Sequence, residues 1–410
     1  MKKYKVDSIS KYLALIEKNN ILDYIYRGQN EPYFSIKASG FRPYWGGWDS
    51  DMIYDMPHLH TAFYNRVIGQ LSEDEKNYFL AFCQHHGIPT NLVDVSYSPL
   101  VALFFACDGK SERKFTLSEF IGDKSIKDFE KDTSSHSMFI HNLINQAKKP
   151  FYSPYAQIYM LNKKRLINIT DLVVELNGKN LFEELLTDEI MKMKLFSLIK
   201  EHFKAIDSDT LNVWLKNILA EFVRIKELHG LASESDELYS SVKSILAAEL
   251  RDIAYKDILE FSEKTYNAEL YQKFFDHNPF VTTKNDYNTI ATLYTIMLME
   301  IIDTLKNAPD KVNINLDIYF TYQPPQLFKR ISSQQSFFIY QPYLYTDDGV
   351  YNYCELNIHS INPDILIEID NYSNILKELY LLGIDNGTIY GDIDNIAKSV
   401  LNSSGKLFKA

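Results

Sequence analysis

Residues 84–109 concentrate the side chains that could do chemistry, in the stretch QHHGIPTNLVDVSYSPLVALFFACDG. His86 could act as a general base, because imidazole changes its charge near neutral pH. Asp94 could act as an acid or base, or could accept backbone N–H groups of the turn that follows it. Ser96 and Ser98 could be site residues, or only parts of a turn and a helix cap. The stretch is therefore a candidate reaction site, metal site or buried turn.

The spacing of the possible metal ligands argues against a metal site. His85 and His86 are adjacent, so on a helix their side chains point about 100° apart and do not easily share one ion. Zinc needs three or four ligands with matched geometry. The cysteines, Cys83, Cys107 and Cys354, have no CxxC spacing that would indicate a zinc ribbon or a disulfide framework. We therefore predict neither a metal site nor a disulfide framework.

An arginine, Arg27, lies before this stretch, in the sequence YIYRGQN at residues 24–30. The alternation and the β-forming residues of that sequence predict a strand that ends at Gly28. Arg27 presents a planar fork that can hold a phosphate or carboxylate with two bonds, which lysine cannot do. Arg27 could equally form a salt bridge with Asp94.

Periodicity and capping residues predict the elements before the central stretch. Residues 7–20 have apolar side chains at helical spacing, whereas residues 40–60 are rich in glycine and aromatic residues and indicate a loop. The Ser-x-x-Glu pattern at residues 72–75 is a capping box. We expect a helix to begin there and to continue to about His86, where Gly87 would end it.

Within the central stretch, LVDV at residues 92–95 indicates a short strand. Ser98 is the expected N-cap of the next helix, with Pro99 at its first position. The first N–H groups of a helix have no intrahelical partner, so this helix start is a candidate anion site.

The rest of the chain predicts an α+β fold, with a mixed β-sheet core and a large α-helical insertion. Residues 110–150 are polar and indicate a loop. Apolar residues at helical spacing predict helices throughout residues 175–308. We expect a core formed by residues 1–174 and 311–410, and an insertion subdomain at 175–310 that could contact a protein target or partner. The remaining predictions are a strand and turn at 156–169, strands at 313–322, 336–344 and 364–369, and a helix at 373–382.

Composition and charge set the broad class of protein. The chain has 410 residues, of which 46% are apolar and 24% charged, as in ordinary globular proteins. The net charge of −11 opposes broad binding to nucleic acid, which needs a basic face. The sequence has no apolar run that indicates a signal peptide or a membrane span, so we expect no membrane association and a cytoplasmic location.

Three stretches together resemble the FRG domain family, which is named for an aromatic-Arg-Gly motif. The first is YIYRGQ, the second is the central stretch, and the third comprises RISSQQSFFIYQP and ILIEIDNYSNILKELYLLGIDNGTIYGDIDNIAKSV near the C-terminus. The resemblance implies a bacterial or phage-related setting, often beside defence or toxin modules. The central positions that carry it are Gln84-His85, Gly87, Thr90, Asp94 and Ser98-Pro99.

The order of these motifs is similar, more distantly, to that of ADP-ribosyltransferases of the Arg-Ser-Glu type. This similarity implies an ADP-ribosyltransferase-like fold for the sheet core and NAD as a possible substrate. It also implies that an arginine holds the diphosphate and that the serine motif braces the site. Tyr97 or Tyr390 could stack on a flat base or ring. The implied nucleotide-binding residues are Arg27, Gly28, Thr90, Ser96, Tyr97, Ser98, Arg330 and Tyr390.

The late loop of this chain departs from the Arg-Ser-Glu pattern. Residues 332–338, SSQQSFF, offer Gln334 and Ser336 where a glutamate is expected. Nicotinamide leaves through an oxocarbenium-like state that an acid can stabilise. That acid would come from Asp94, Glu355, Asp392 or Asp394, or no transfer takes place. The candidate catalytic residues are His86, Asp94, Gln334 and Asp392.

Three functions are consistent with these residues. The first is an effector that binds NAD or a related nucleotide and transfers ADP-ribose or cleaves the nicotinamide bond. The second is a non-catalytic module that senses a nucleotide or a phage component and signals through the helical insertion. The third is a metal-dependent nuclease, since scattered Asp and His residues could hold Mg²⁺.

Overall fold

The structure, a computed structural model, describes the larger part of the chain. The described residues are 1–31, 36–42, 53–110, 154–233, 235–247, 287–306, 311–325, 329–347 and 354–403. The loop predicted at 110–150 lies almost entirely outside them.

The strands lie on either side of a long helical stretch in the middle of the chain. In chain order they are β1 (Lys2–Val6), β2 (Tyr24–Gln29), β3 (Leu92–Ser96), β4 (Ala156–Asn162), β5 (Leu166–Asn168), β6 (Asn313–Ile314), β7 (Tyr319–Tyr322), β8 (Ser336–Tyr340), β9 (Tyr343–Asp347), β10 (Cys354–His359) and β11 (Ile365–Ile369).

The helices fall into a group near each terminus and a long run in the middle of the chain. They are α1 (Ile9–Lys18), α2 (Met56–Val67), α3 (Glu73–Asn77), α4 (Phe79–His85), α5 (Pro99–Cys107), α6 (Thr170–Leu176), α7 (Leu181–Thr187), α8 (Glu189–Phe203), α9 (Ser208–Leu228), α10 (Glu237–Ala247), α11 (Tyr287–Lys306), α12 (Lys329–Ser333), α13 (Tyr372–Leu381), α14 (Asn386–Tyr390) and α15 (Ile393–Ser403).

The strands form a mixed sheet, as the sequence predicts. Among the described residues, an eight-stranded sheet has the order β1-β11-β4-β2-β3-β8-β7-β5, and a three-stranded sheet has the order β6-β10-β9. In the larger sheet, β1 is parallel to β11 and β5 is parallel to β7, whereas the strands between them are antiparallel. The molecule is therefore a mixed α/β structure, and the closer likeness to an ADP-ribosyltransferase fold stays a prediction.

Both faces of the larger sheet are covered, because successive side chains of a strand point to opposite faces. On β4, Ile158 and Met160 pack in an apolar cluster with residues of α1, α5 and α13. Tyr159 and Leu161 pack in a second cluster on the other face, with Ile358 of the three-stranded sheet. A strand that is buried on both faces lies at the centre of the fold.

The central helices α6 to α11 pack on the sheet rather than beside it. Leu215 of α9 and Leu293 of α11 are fully buried in one apolar cluster with Phe320 of β7 and Phe338 of β8. A fully buried side chain of this size contributes about 1.5–3 kcal/mol to stability. These helices therefore stabilise the half of the sheet that contains β3, β8 and β7. The domain boundaries at 174 and 310 stay a prediction.

The helix α5 lies unusually close to β2, and Gly28 makes this possible. A Cβ atom at Gly28 would lie 1.8 Å from the Ala102 carbonyl oxygen and 2.7 Å from the Ala106 nitrogen. Real Cβ atoms do not approach backbone atoms this closely, so any other residue would push the helix away from the strand. The aromatic-Arg-Gly motif therefore has a packing reason for its glycine.

Several predicted elements are confirmed. The helix at 7–20 is α1, the strand at 24–30 is β2, and the strand at 92–95 is β3. The side chain of Ser98 caps α5, with proline in its first turn. Ser72 and Glu75 form the expected capping box.

Three predicted elements are wrong as single elements, because each is interrupted. The helix at 72–86 is divided into α3 and α4 at Tyr78, whose φ of −109° and ψ of 37° are not helical. The strand at 313–322 is divided into β6 and β7, which belong to different sheets. The strand at 336–344 is divided into β8 and β9 before Pro342, which has no N–H to donate to a ladder.

Two strands and a helix of the structure were not predicted from the sequence. β1 is mostly exposed, so it lacks the apolar face that marks a strand in sequence. β10 was not predicted either. The loop predicted at 40–60 is wrong from Met56 onward, where α2 begins after the cap Asp55. Residues 43–52 of that loop lie outside the described residues.

The burial of His359 should make the stability of the protein depend on pH. The side chain is completely buried, and desolvation lowers the pKa of its imidazole to about 3. Below its ordinary pKa of about 6.5, the unfolded chain binds a proton that the folded chain does not. The free energy of unfolding should therefore fall by up to about 1.4 kcal/mol per pH unit as the pH is lowered from about 6 towards 3.

Urea unfolding at about pH 7.5 and pH 5 measures this effect. For each protein we take the difference between its free energies of unfolding at the two pH values. This difference should be about 2 kcal/mol smaller in the His359→Phe variant than in the unaltered chain. An equal pH dependence in both chains would contradict the assignment.

Gly28 predicts a second effect on stability. The Gly28→Ala variant should lower the free energy of unfolding by about 1–3 kcal/mol or more, because its methyl group overlaps the Ala102 carbonyl. The matched control is Gly69→Ala, where an added Cβ meets nothing within 4 Å. Urea unfolding of both variants checks this, and equal stabilities would show that the close approach of α5 is not needed.

Candidate functional site

The larger sheet is weakest between β2 and β3, where a cleft opens. These two strands pair at one register position, Tyr26 with Ser96. By contrast, β2 pairs with β4 over six positions and β3 pairs with β8 over five. Beyond the Tyr26–Ser96 pair the two strands diverge, and Arg27 spans the gap by donating from Nη1 to the Asp94 carbonyl oxygen at 2.6 Å.

The cleft between the diverging strands has a volume of about 270 Å³. Its walls come from β2, β3 and β8, from the side of α5, and from α14 at the far end of the chain. The described residues that line it are Tyr26, Arg27, Gly28, Asp94, Val95, Ser96, Ala102, Phe105, Gln334, Ser336 and Tyr390.

Arg27 is held in the cleft by neutral acceptors. In addition to the Asp94 carbonyl, the Gln29 side-chain oxygen accepts from Arg27 Nε at 2.9 Å. Burial raises the pKa of the neighbouring Tyr159 to about 12, although the Arg27 cation opposes that shift. Tyr159 therefore stays neutral near pH 7 beside the Arg27 cation.

A chain of hydrogen bonds orients the carboxylate of Asp94. Gln84 Nε2 donates to Asp94 Oδ2 at 2.8 Å, and Thr90 Oγ1 donates to Gln84 Oε1 at 2.6 Å. Thr90 is fully buried and also accepts from the Leu92 backbone N–H. Thr90 therefore lies behind the cleft rather than in it, and it fixes Gln84, which in turn fixes Asp94.

Ser96 and Gln334 join distant parts of the chain at the floor of the cleft. Ser96 Oγ donates to the Gln334 carbonyl oxygen at 2.7 Å and accepts from the Ser98 N–H at 3.0 Å. Gln334 Nε2 donates to the Ile389 carbonyl oxygen at 3.3 Å. Both residues are about 95% buried. These bonds bring β3, the segment before β8, and α14 to one place.

The start of α5 is not part of the cleft. Ser98 Oγ accepts from the Val101 N–H at 3.4 Å, and Pro99 has no N–H to offer. The residues of α5 that line the cleft are Ala102 and Phe105, one turn further along. The structure therefore places Arg27 beside the flank of α5 and not beside its open end, where the sequence located an anion site.

The two candidate tyrosines lie in different places. Tyr390 lines the cleft and meets Phe105 edge to face, with ring centroids 6.0 Å apart. Tyr97 lies outside the lining; its ring stacks on Phe337 at 4.6 Å and has Lys163 Nζ 5.0 Å from its centroid. Of these two tyrosines, Tyr390 is therefore the one that a ligand in the cleft can contact.

Two candidate catalytic residues lie away from the cleft. The His86 ring packs on Phe82 at 4.3 Å and near Phe63 at 6.3 Å. Asp392 caps α15, since the Asn395 N–H donates to Asp392 Oδ1 at 2.8 Å. The side chains of Arg330, Glu355 and Asp394 lie outside the described residues.

Comparison with known proteins gives a family match for one part of the chain that lines the cleft. Residues 22–114 match the family model of the FRG domain. The chain carries an FRG domain. The match contains Arg27, Gly28, Asp94, Ser96 and α5, whereas Gln334 and Tyr390 lie outside it. Comparisons with curated proteins and with solved structures gave no match.

Of the two adjacent histidines, sequence reasoning named His86 and not His85 as a candidate catalytic residue. His85, at the end of α4, lines a small chamber of about 60 Å³ together with Gln84 and Asp94. The chamber shares Asp94, Gln334 and Ser336 with the cleft. The adjacency of His85 to the Asp94 partner Gln84 could have indicated this, but the phase of a helix end cannot be read from one sequence.

The remaining titratable groups add no second centre in the described part of the chain. Burial raises the pKa of the Cys83 and Cys107 thiols to about 12, so neither supplies a thiolate near neutral pH. Among the described residues, no three His, Cys, Asp or Glu side chains are placed to hold one metal ion. No described helix is both long and apolar enough to span a bilayer.

The hydrogen-bond chain behind Asp94 predicts a stability effect. In the Thr90→Val variant, Gln84 Oε1 loses a donor and the buried Leu92 N–H loses an acceptor. The free energy of unfolding should fall by about 1–3 kcal/mol. Urea unfolding measures this, with Thr61→Val as the control, because the Thr61 hydroxyl is exposed and bonds only within its own helix. Equal losses in the two variants would contradict the role of Thr90.

Proposed function

We propose that the cleft of the FRG domain binds NAD or a related nucleotide, and that the protein cleaves its nicotinamide–ribose bond or transfers its ADP-ribose. The observation that carries this proposal is the convergence of Arg27, Asp94, Gln334 and Tyr390 on one cleft. These residues, far apart in sequence, were grouped by the resemblance to the FRG family and by the more distant similarity to ADP-ribosyltransferases. Their convergence supports that grouping.

Arg27 is the proposed partner of the diphosphate. A guanidinium is the side chain best suited to hold phosphate oxygens with two parallel bonds. The flank of α5, held against β2 by Gly28, closes the cleft on one side. The cleft volume of about 270 Å³ is just below the range of about 300–1,000 Å³ that is usual for ligand pockets. We therefore expect it to enclose one half of a dinucleotide, with Tyr390 against a ring.

Asp94 is the proposed replacement for the missing glutamate. It is the one acid among the described residues that line the cleft. Its carboxylate is oriented by Gln84, so its position is fixed before a ligand binds. A carboxylate beside the ribose stabilises the positive charge that develops as nicotinamide leaves. Gln334 then has a structural role, since its amide is bonded to the Ile389 carbonyl.

A second candidate is a sensing module that binds the nucleotide without turnover. The observation that favours it is the common core of the cleft and the central helices. Leu92 of β3 and Phe338 of β8 pack in the same apolar cluster as α9 and α11. A ligand that moved β3 relative to β2 would therefore also move α9 and α11, which pack in the same cluster as β3. A role in antiviral defence or as a toxin is implied by the family resemblance alone.

The Arg27→Lys variant tests the proposal, because lysine keeps the charge and loses the fork. We expect its affinity for NAD to fall at least about tenfold, which is about 1.4 kcal/mol, with a matching fall in nicotinamide release. Calorimetry measures the affinity, and thermal stabilisation follows occupancy. The control is Arg66→Lys, since Arg66 is exposed at the end of α2.

The outcomes separate the two candidates. Binding with nicotinamide release supports the enzyme, and binding without release supports the sensing module. If NAD and ADP-ribose neither bind nor stabilise the unaltered protein, the proposal is wrong.

A further inference from the structure

The small chamber beside the cleft has a size and a lining that suit water. Its volume is about 60 Å³, which is space for a few water molecules and too little for a nucleotide ring. Polar groups of Gln84, His85, Asp94 and Ser336 line it. An ordered water needs two to four such partners, so this chamber can hold one firmly.

The chamber and the cleft meet at Asp94. This residue and Ser336 line both spaces, and Gln84 fixes the Asp94 carboxylate from the chamber side. A ribose held at Asp94 in the cleft would therefore have the chamber as its neighbour. A molecule in the chamber would therefore lie beside the same Asp94 side chain as that ribose.

We propose that the chamber holds the nucleophilic water of an NAD hydrolysis, and that His85 is its general base. This inference rests on the proposed function of the cleft, and it names water as the acceptor of the ADP-ribosyl group. The size and the polar lining of the chamber carry the argument, because a space of about 60 Å³ suits one or a few water molecules. An imidazole can accept a proton near neutral pH.

The proposed step balances in atoms and charge. The bond between the ribose C1′ and the nicotinamide nitrogen breaks, and its electron pair leaves with nicotinamide, which becomes neutral. The oxygen of the chamber water forms a bond to C1′, while His85 takes a proton from that water and later releases it to solvent. The products are nicotinamide, ADP-ribose and one proton.

The neighbouring histidine provides a matched control. His86 follows His85 directly, but its ring packs on Phe82 and does not line the chamber or the cleft. The test compares His85→Gln, His85→Asn and His86→Gln with the unaltered full chain. For each protein, thermal melting checks folding, calorimetry measures NAD affinity, and chromatography measures the rates of nicotinamide and ADP-ribose formation.

We expect the two His85 variants to bind NAD within about twofold of the unaltered chain and to form ADP-ribose about 100-fold more slowly. His86→Gln should hydrolyse at the unaltered rate. Folded His85 variants that hydrolyse at the unaltered rate would overturn this inference and leave the proposed function intact. Two further results would also overturn it. One is NAD binding by the unaltered chain without hydrolysis, and the other is transfer of labelled ADP-ribose from NAD to protein instead of its release as free ADP-ribose. Failure of the unaltered chain to bind NAD would overturn both.

Discussion

The pairing of β2 with β3 at the single position Tyr26–Ser96 is the constraint on which the candidate site depends. On either side of this junction the strands are fully paired to their outer neighbours, so the sheet is two four-stranded halves joined at one point. Separating the strands leaves backbone groups of both without ladder partners, which would be costly if they were buried. Arg27 satisfies one of them, the Asp94 carbonyl, and so holds the cleft at a fixed width.

Each half of the sheet has its own support, which is why the cleft can persist. The half with β4 is covered by α1, α5 and α13, and α5 approaches β2 closely because Gly28 has no side chain. The half with β8 is covered by α9 and α11 through one apolar cluster. Ser96 bonds to Gln334 beside β8, and Gln334 donates to the Ile389 carbonyl of α14, whose side chain packs with the half that contains β4. A ligand in the cleft would contact both halves, which gives binding a direct route to the helices.

The sequence predicted the parts of the site that depend on local patterns. The strand at residues 24–30, the strand at Asp94 and the cap at Ser98 follow from alternation and capping rules, and all three are found, although the first strand ends at Gln29 and not at Gly28. What local patterns could not show is which side of α5 faces Arg27, because that depends on how far a glycine lets the helix approach. Choosing between His85 and His86 likewise required the phase of the last turn of α4, which follows the break at Tyr78.

Long-range pairing explains the other differences. β1 carries little apolar sequence and is a strand because it pairs with β11, more than 360 residues away. The FRG match ends at residue 114, yet Gln334 and Tyr390 complete the cleft. A candidate site assembled from both ends of the chain can be proposed from sequence similarity, but its geometry requires the fold.

The most direct test of this account is a crystal structure of the full chain soaked with ADP-ribose. The account predicts the diphosphate beside the Arg27 guanidinium, between β2 and β3, with the terminal ribose near the Asp94 carboxylate. ADP-ribose bound elsewhere on the molecule, or an unoccupied cleft at saturating ligand, would contradict it.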